Sequence, residues 1–202
     1  MAPRTMPKAD RRNETRNSLL EAGVRIVLER GYNNAGLDAI LAEAGVPKGS
    51  FYYYFESKED FGLRIVDHWM TGYADAESAL ADQTLEPLER VRQFFEARRK
   101  RFVANGCRVG CLVGNLTQEM SAQNESFRSY IGAIFDRWLQ GMTACLAEAQ
   151  KAGVVTVRRK AADLAENCLM VWQGALLLGK TRRSVKPVDA FFRLVFEDLL
   201  PS

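Results

Sequence analysis

The amino-acid sequence predicts an all-α protein: an N-terminal three-helix unit joined to a larger helical body, about nine helices in all. Three observations carry this. Apolar residues recur at i, i+3, i+4 and i+7 in segment after segment, the spacing of one helix face. The six prolines and the glycines fall mainly at breaks between those segments, where helices start and stop. At 202 residues and 47% hydrophobic, the chain can bury a real core in one or two small domains.

The elements follow in order. Arg4, Lys8, Arg11, Arg12 and Arg16 are countered near the N-terminus only by Asp10 and Glu14. Residues 1–12 form a basic arm, which could reach phosphates or a minor groove, or simply keep the chain soluble. Leu20, Val24, Val27 and Leu28 make an apolar stripe on a helix of roughly residues 14–30, closed by Gly31. Asn33-Asn34-Ala35-Gly36 is a turn. Leu37, Ile40, Leu41 and Ala44 then mark a short helix, and Gly45 stands where a left-handed residue ends a helix at least cost. Pro47, with no amide hydrogen and a fixed φ, suits the first turn of another helix. Phe51 and Phe55, four apart, can face inward together, leaving Lys48, Ser50, Tyr52 and Tyr53 outside. Ser57, followed by Lys58-Glu59-Asp60, is an N-cap with acidic residues in the first turn of the next helix.

Two short helices joined by a tight glycine-containing turn make a helix-turn-helix, whose second helix can enter a DNA major groove. An outer face of lysine, serine and tyrosines suits that role, because such groups contact phosphates and reach base edges. A plain helical hairpin with an aromatic core would account for Phe51 and Phe55, but not for three consecutive tyrosines between Lys48 and Lys58. The stretch resembles the DNA-binding head of the TetR-type regulators. The residues that carry the resemblance are Ala44-Gly45-Val46, Lys48-Gly49-Ser50, Tyr52, Tyr54-Phe55 and Ser57-Lys58. It implies a double-stranded DNA operator as partner, with Arg16, Lys48, Gly49, Ser50, Tyr52, Tyr53, Tyr54 and Lys58 as candidate contacts. Two positions depart from the family's pattern. Gly36-Leu37-Asp38 replaces a Thr-Thr-Arg that often opens the first helix of the motif, removing a common phosphate contact. Tyr54 replaces the usual histidine, keeping a hydrogen-bonding group that cannot become cationic.

Beyond a boundary near residue 57 (1–56 head, 57–202 ligand-sensing and dimerisation body), Phe61, Ile65, Trp69 and Tyr73 predict a long helix to about Ala81. Pro87 opens a helix to about Val103, on which the run Arg98-Arg99-Lys100-Arg101 reads most simply as a solvated face, with anion binding as the alternative. Asn105-Gly106 is a turn. Further helices are expected over 111–120, 125–151 and 161–183, with Pro187 opening the last one. The helix over 161–183 is strongly apolar and carries Gly174, Ala175 and Gly179. Together with Phe191, Phe192, Val195 and Phe196 it offers more hydrophobic surface than one small bundle covers, which points to a dimer. The resemblance agrees, since TetR-type regulators form homodimers through their last two helices. A two-fold dimer would set two recognition helices about 34 Å apart, or a multiple of it, on a palindrome.

A second informative stretch runs from Cys107 to Leu116. Cys-x3-Cys without a companion pair, in a chain whose only histidine is His68, is no metal signature, so no metal or cofactor is expected. Cys111 stands at a helix N-terminus beside Arg108, and both effects favour thiolate. The other reading, a small apolar residue packed against Leu112 and Leu116, stays open. Gly110-Cys111-Leu112-Val113-Gly114-Asn115-Leu116, Gln118-Glu119-Met120 and Gly179-Lys180 are similar to a branch of TetR-type regulators that responds to electrophiles and acrylate. That resemblance implies a small-molecule inducer, with Cys111 as sensor and Lys180 as a residue able to couple to it; Lys180 reads equally as a plain solvated lysine at a helix C-terminus. Cys107 departs from the branch and is a resolving thiol or incidental. Trp138, Trp172 and Tyr130 are candidate pocket walls or plain core. An enzyme is not expected: there is no Cys/His pairing near a motif and no glycine-rich phosphate loop. No apolar run approaches a membrane span and no signal peptide is visible, so a cytoplasmic protein with reduced cysteines is expected.

Overall fold

A computed structural model describes residues 8–202, with side chains from residue 11 onward. Ten α-helices account for most of it: α1 (Lys8–Arg30), α2 (Leu37–Ala44), α3 (Phe51–Tyr54), α4 (Lys58–Thr71), α5 (Ala74–Ser78), α6 (Pro87–Ala104), α7 (Leu112–Met120), α8 (Glu125–Lys151), α9 (Ala161–Arg182) and α10 (Lys186–Arg193). Lys48–Ser50 forms a 3₁₀ turn that leads into α3, Ala79–Ala81 another after α5, and Leu194–Leu199 a π-helical extension of α10. Among the described residues the only β-type pairing is one bridge between Val155 and Pro201. No described helix is long and apolar enough to cross a membrane.

The all-helical expectation holds, and the local signals act where they stand. Gly45 is left-handed at φ 66°, and the amide of Val46 closes back on Leu41 O at 2.9 Å, so the turn between α2 and α3 is tight. Ser57 caps α4 by accepting from the Asp60 amide at 3.0 Å. Phe51 and Phe55 are buried with Phe61 in one aromatic cluster, the Phe55–Phe61 centroids 4.7 Å apart, which fixes the short α3 on α1 and α4. Gly23 of α1 permits the close crossing, since a Cβ there would lie 2.7 Å from both Ile65 and Phe61. α8 and α9 pack together along their length, with α6 against α8 and α10 against α9.

Three expectations are corrected. The first helix begins at Lys8, not near 14, so the part of the basic arm from Lys8 onward is helical; the arm's first seven residues, Arg4 included, lie outside the described residues. The long helix expected from 57 to 81 stops at Thr71. Gly72 lies under the Arg101 guanidinium, where a Cβ would come within 2.2 Å of Nη1, and the chain turns there and re-enters helix at Ala74. Finally, Gly179 does not lie open on the outer face of α9. A Cβ there would meet Phe102 at 2.9 Å and the Ser184 carbonyl at 3.0 Å, so its smallness serves the chain's own packing. Gly174, by contrast, has nothing within 4 Å and shares an exposed stripe with Met170, Leu177 and Leu178.

Candidate functional site

Two surfaces carry the candidate residues. On the first, the short α3 presents Tyr52 and Tyr53 to solvent (71% and 58% exposed), while Tyr54 is half-buried. From α1, the Arg12 guanidinium lies 4.6 Å from the Tyr53 ring centroid and that of Arg16 5.4 Å from the Phe55 ring. Both cations therefore flank the turn and α3. Lys48 is exposed and pairs with Asp38 Oδ2 at 2.7 Å, so an acid in the first turn of α2 holds the lysine of the next turn. Gly49 has an ordinary φ and nothing within 4 Å of a would-be Cβ; the fold itself imposes no glycine there. Ser50 is half-buried. Lys58 turns inward, its Nζ 4.9 Å from the Tyr32 ring centroid.

The second surface is a cavity of about 370 Å³ between α1 and the body, large enough for a small molecule. Val24, Arg25, Leu28 and Glu29 of α1 form one wall. Trp69, Tyr73, Phe102, Trp172 and Leu176 supply apolar lining from the other side, and Cys111 lies at the base of the loop from Val109. Helical spacing on α6 aims Arg98 and Arg101 into the same space as Phe102. The solvated face expected for residues 98–101 is thereby overturned at two positions. Arg98 is 5% exposed and Arg99 is ion-paired with Asp189 at 2.8 Å across to α10, while Lys100 and Arg101 remain exposed overall.

The buried Arg98 is incompletely satisfied. Nη1 donates to Phe94 O at 2.8 Å and Nη2 to Glu77 Oε1 at 3.4 Å, with the Phe94 ring centroid 3.6 Å from Cζ, but Nε has no partner. Burial lowers the Arg98 pKa to about 10, against the raising influence of Cys111, Tyr73 and Glu77, so the group stays cationic at neutral pH. Among the described residues the other buried side-chain donor with no partner is Nε2 of half-buried Gln173 on α9; its Oε1 crowds Gly114, where a Cβ would lie 2.5 Å away. Cys111 is buried and caps α7, its sulfur accepting from the Gly114 amide at 3.5 Å. Burial pushes its thiol pKa up; the Gly114 amide, the Gln173 side chain and the Arg98 charge pull it down. The helix N-terminus does favour thiolate as its position suggested, but desolvation is the larger effect.

The other predicted sensor residues are distributed unequally. Trp172 lines the cavity. Trp138 does not; its Nε1 donates to Glu77 at 2.7 Å and its ring lies 4.9 Å from the Arg98 guanidinium, so it backs the arginine. Tyr130 bonds Asp67 and ties α8 to α4, away from the cavity. Cys107 is buried in a left-handed turn (φ 56°), donating its amide to Phe102 O, and is not part of the cavity wall. Lys180, half-exposed near the end of α9, is likewise absent from the cavity wall. The wall contributed by α1, together with Tyr73, was missed by sequence reasoning, and the two arginines entered it only through the anion-binding alternative for residues 98–101. For Arg98 the signal existed: it shares a helix face with Phe94 and Phe102.

A helix-turn-helix with an aromatic and cationic outer face, joined through a shared helix to a cavity of small-molecule size, defines a DNA-binding regulator. Comparison with known proteins gives the family. Residues 19–65 match the family model for bacterial regulatory proteins of the tetR family, and residues 87–193 that for the C-terminal domain of LmrA/YxaF-like transcriptional regulators. The chain is 37% identical over 194 residues to the HTH-type transcriptional repressor DhaR of Mycobacterium sp. strain GP1, covering 95% of each chain. It is 36% identical over 201 residues to the transcriptional regulator AcuR of Cereibacter sphaeroides, covering 95% of this chain and 92% of the other. The crystal structure of a regulatory protein TetR from Rhodobacter sphaeroides superposes with TM-score 0.83 at 36% identity, over 91% of this chain and 97% of that one. The chain belongs to the TetR family of transcriptional regulators, which are DNA-binding proteins rather than enzymes.

Proposed function

We propose that the protein is a cytoplasmic homodimeric repressor, released from a palindromic operator when a small unsaturated acid or related electrophile enters the cavity beside Cys111. The observation that carries this reading is the pairing, in one cavity wall, of the Cys111 thiol with Arg98, a buried cation whose Nε has no partner. A buried cation with a free N–H is matched by a carboxylate, and 370 Å³ admits only a small one comfortably. The resemblance to an acrylate- and electrophile-responsive branch supports the same chemistry. Held by its carboxylate, an acrylate-like acid would present its β-carbon for addition of the Cys111 sulfur, the thiol proton passing to the α-carbon.

On this reading the chain divides near residue 57 into a DNA-binding head and a sensing and dimerisation body. Lys48, Gly49, Ser50, Tyr52, Tyr53 and Tyr54 meet the operator, with Arg12 and Arg16 on the adjoining backbone. The open space at Gly49 suits a closely approaching phosphate. Lys58, lying on Tyr32, has a lesser role. Met170, Gly174, Leu177 and Leu178 on α9, with Leu194 beyond α10, supply the apolar dimer face. Ligand binding against α1 favours a head orientation that no longer fits successive grooves.

The raised pKa of Cys111 favours a second reading, in which the same ligand binds reversibly and the thiol never reacts. One experiment separates the two. Fluorescence anisotropy with DNA from upstream of the protein's own gene is recorded with and without acrylate or N-ethylmaleimide, for wild type and Cys111→Ser. Release only in wild type establishes covalent sensing. Equal release by acrylate in both proteins establishes reversible binding, and no specific DNA binding overturns the repressor reading.

A further inference from the structure

Helix α7 has one end at the cavity and the other at the head. Its N-cap is Cys111. Eight residues on, about 12 Å along the axis, Glu119 reaches out of the body to the loop that follows α1. Its two carboxylate oxygens accept separately from two successive backbone amides, Oε2 from Tyr32 N–H at 2.7 Å and Oε1 from Asn33 N–H at 2.6 Å. Charge-assisted bonds this short are the strong ones. The loop is shaped to receive them. Gly31 is left-handed at φ 80°, and a Cβ there would lie 3.0 Å from Oε2 and 3.1 Å from Oε1. Tyr32 is itself bolted to α4, its hydroxyl donating to Lys58 O at 2.8 Å and its ring packed on Phe127 at 4.9 Å.

The cavity thus communicates with the head by two routes of different character. α1 forms its wall through apolar side chains such as Val24 and Leu28. The α7 route is directional: the Cys111 cap fixes the start of the helix, and Glu119 grips the backbone at the end of α1. Any shift of α7 along or about its axis is imposed on Gly31–Asn33. We propose that Glu119 is the coupling residue of this regulator, transmitting changes at the Cys111 end of α7 to the head and so to operator affinity. The inference rests on the reading that events at Cys111 release the operator. It gives Glu119 a positioning role, with no contact to ligand or DNA.

The test uses full-length wild type, Glu119→Gln, Glu119→Ala and the exposed-neighbour control Gln118→Ala. Each is alkylated to completion at Cys111 with N-ethylmaleimide, with occupancy verified by peptide mass, and operator Kd is measured by anisotropy before and after. Melting curves confirm folding. In wild type and Gln118→Ala, alkylation should weaken operator binding by about tenfold or more, within the usual range of allosteric coupling. In Glu119→Ala the unmodified protein should still bind operator, and alkylation should change Kd by less than about threefold. Glu119→Gln, which keeps one acceptor oxygen and loses the other, should fall between. An undiminished response in Glu119→Ala overturns the coupling role and leaves the sensor reading intact. Loss of operator binding in both folded Glu119 variants before alkylation makes the residue a structural brace of the head and also overturns it. A wild type whose operator affinity ignores alkylation overturns both readings together.

Discussion

Replacing Arg98 by methionine should separate ligand recognition from folding. The guanidinium is held by Phe94 O at 2.8 Å, Glu77 Oε1 at 3.4 Å and the face of Phe94 at 3.6 Å, with Nε unpartnered. Removing one member of a buried pair is costly when the other is stranded. Glu77 is not stranded here, because Trp138 Nε1 remains at 2.7 Å and Arg137 at 4.0 Å. The lost contacts, about 1–2 kcal/mol, are offset by relief of the desolvation that lowers the arginine's pKa. A residual of about 1 kcal/mol shifts the melting temperature by only about 2–4 °C in a chain of this size. Ligand binding loses more. A hydrogen bond to a charged group contributes about 1.5–3 kcal/mol, which corresponds to roughly a 10- to 150-fold rise in Kd. Propionate matches acrylate in charge and approximate size but has no double bond to attack, so it reads recognition alone. Titrated against tryptophan fluorescence, with Trp69 and Trp172 in the cavity wall, it should show that rise in Arg98→Met. A variant that melts within a few degrees of wild type and binds propionate within threefold of it refutes the carboxylate placement.

Three further outcomes follow from the same geometry. Because burial holds the Cys111 thiol above its ordinary range, its thiolate fraction, and with it the alkylation rate by N-ethylmaleimide, should keep rising about tenfold per pH unit between roughly pH 7 and 8; a plateau near pH 7, read by peptide mass spectrometry, would contradict that environment. Lys48→Ala and Tyr52→Ala should each weaken operator binding while leaving melting nearly unchanged, since Tyr52 is exposed and the Lys48–Asp38 pair is a surface contact; unchanged anisotropy in both removes α3 from the groove. Leu178→Glu should raise the dimer Kd by at least about a hundredfold, because about 1.5–3 kcal/mol per buried leucine counts twice across a two-fold axis; sedimentation showing an intact dimer would displace the interface from α9.

The head was legible because its signals are local. Gly45, Pro47 and Ser57 act on backbone within a few residues of themselves, and each stands where its chemistry requires. The four-residue spacing of Phe51 and Phe55 placed the tyrosines outside without any knowledge of the body. The features that escaped depend on residues distant in sequence. The spacing of Phe61, Ile65, Trp69 and Tyr73 continues smoothly through Gly72, and the side chain packed over Gly72 where the helix stops, Arg101, comes from α6. Gly179 looked like a site of helix–helix approach between subunits, yet Phe102 of the same chain fills the space. Cys111 was correctly placed at a helix N-terminus, but its burial, contributed by α6 and α9, outweighs the local electrostatics. The cavity shows the limit most plainly, since no spacing within α1 announces that Val24 and Leu28 line a cavity.

On the proposed reading, that wall is also what would let the arrangement work as a switch. α1 is a single helix of 23 residues. Its first half holds Arg12 and Arg16 against the aromatic residues of and beside α3, its second half forms one side of the cavity, and its end is clamped by Glu119. A helix is stiff over this length, so a ligand that pushes on Val24 and Leu28 while the clamp holds Tyr32 tilts the helix instead of denting it. A tilt of roughly 5° displaces a point 20 Å along the axis by about 2 Å, enough to carry a guanidinium out of hydrogen-bonding range of a phosphate. In a two-fold dimer the error recurs at both half-sites, where the spacing of the recognition helices must match the DNA turn. Small apolar ligand contacts can therefore be exchanged for the loss of several charged DNA contacts, and the stiffness of α1 sets the ratio.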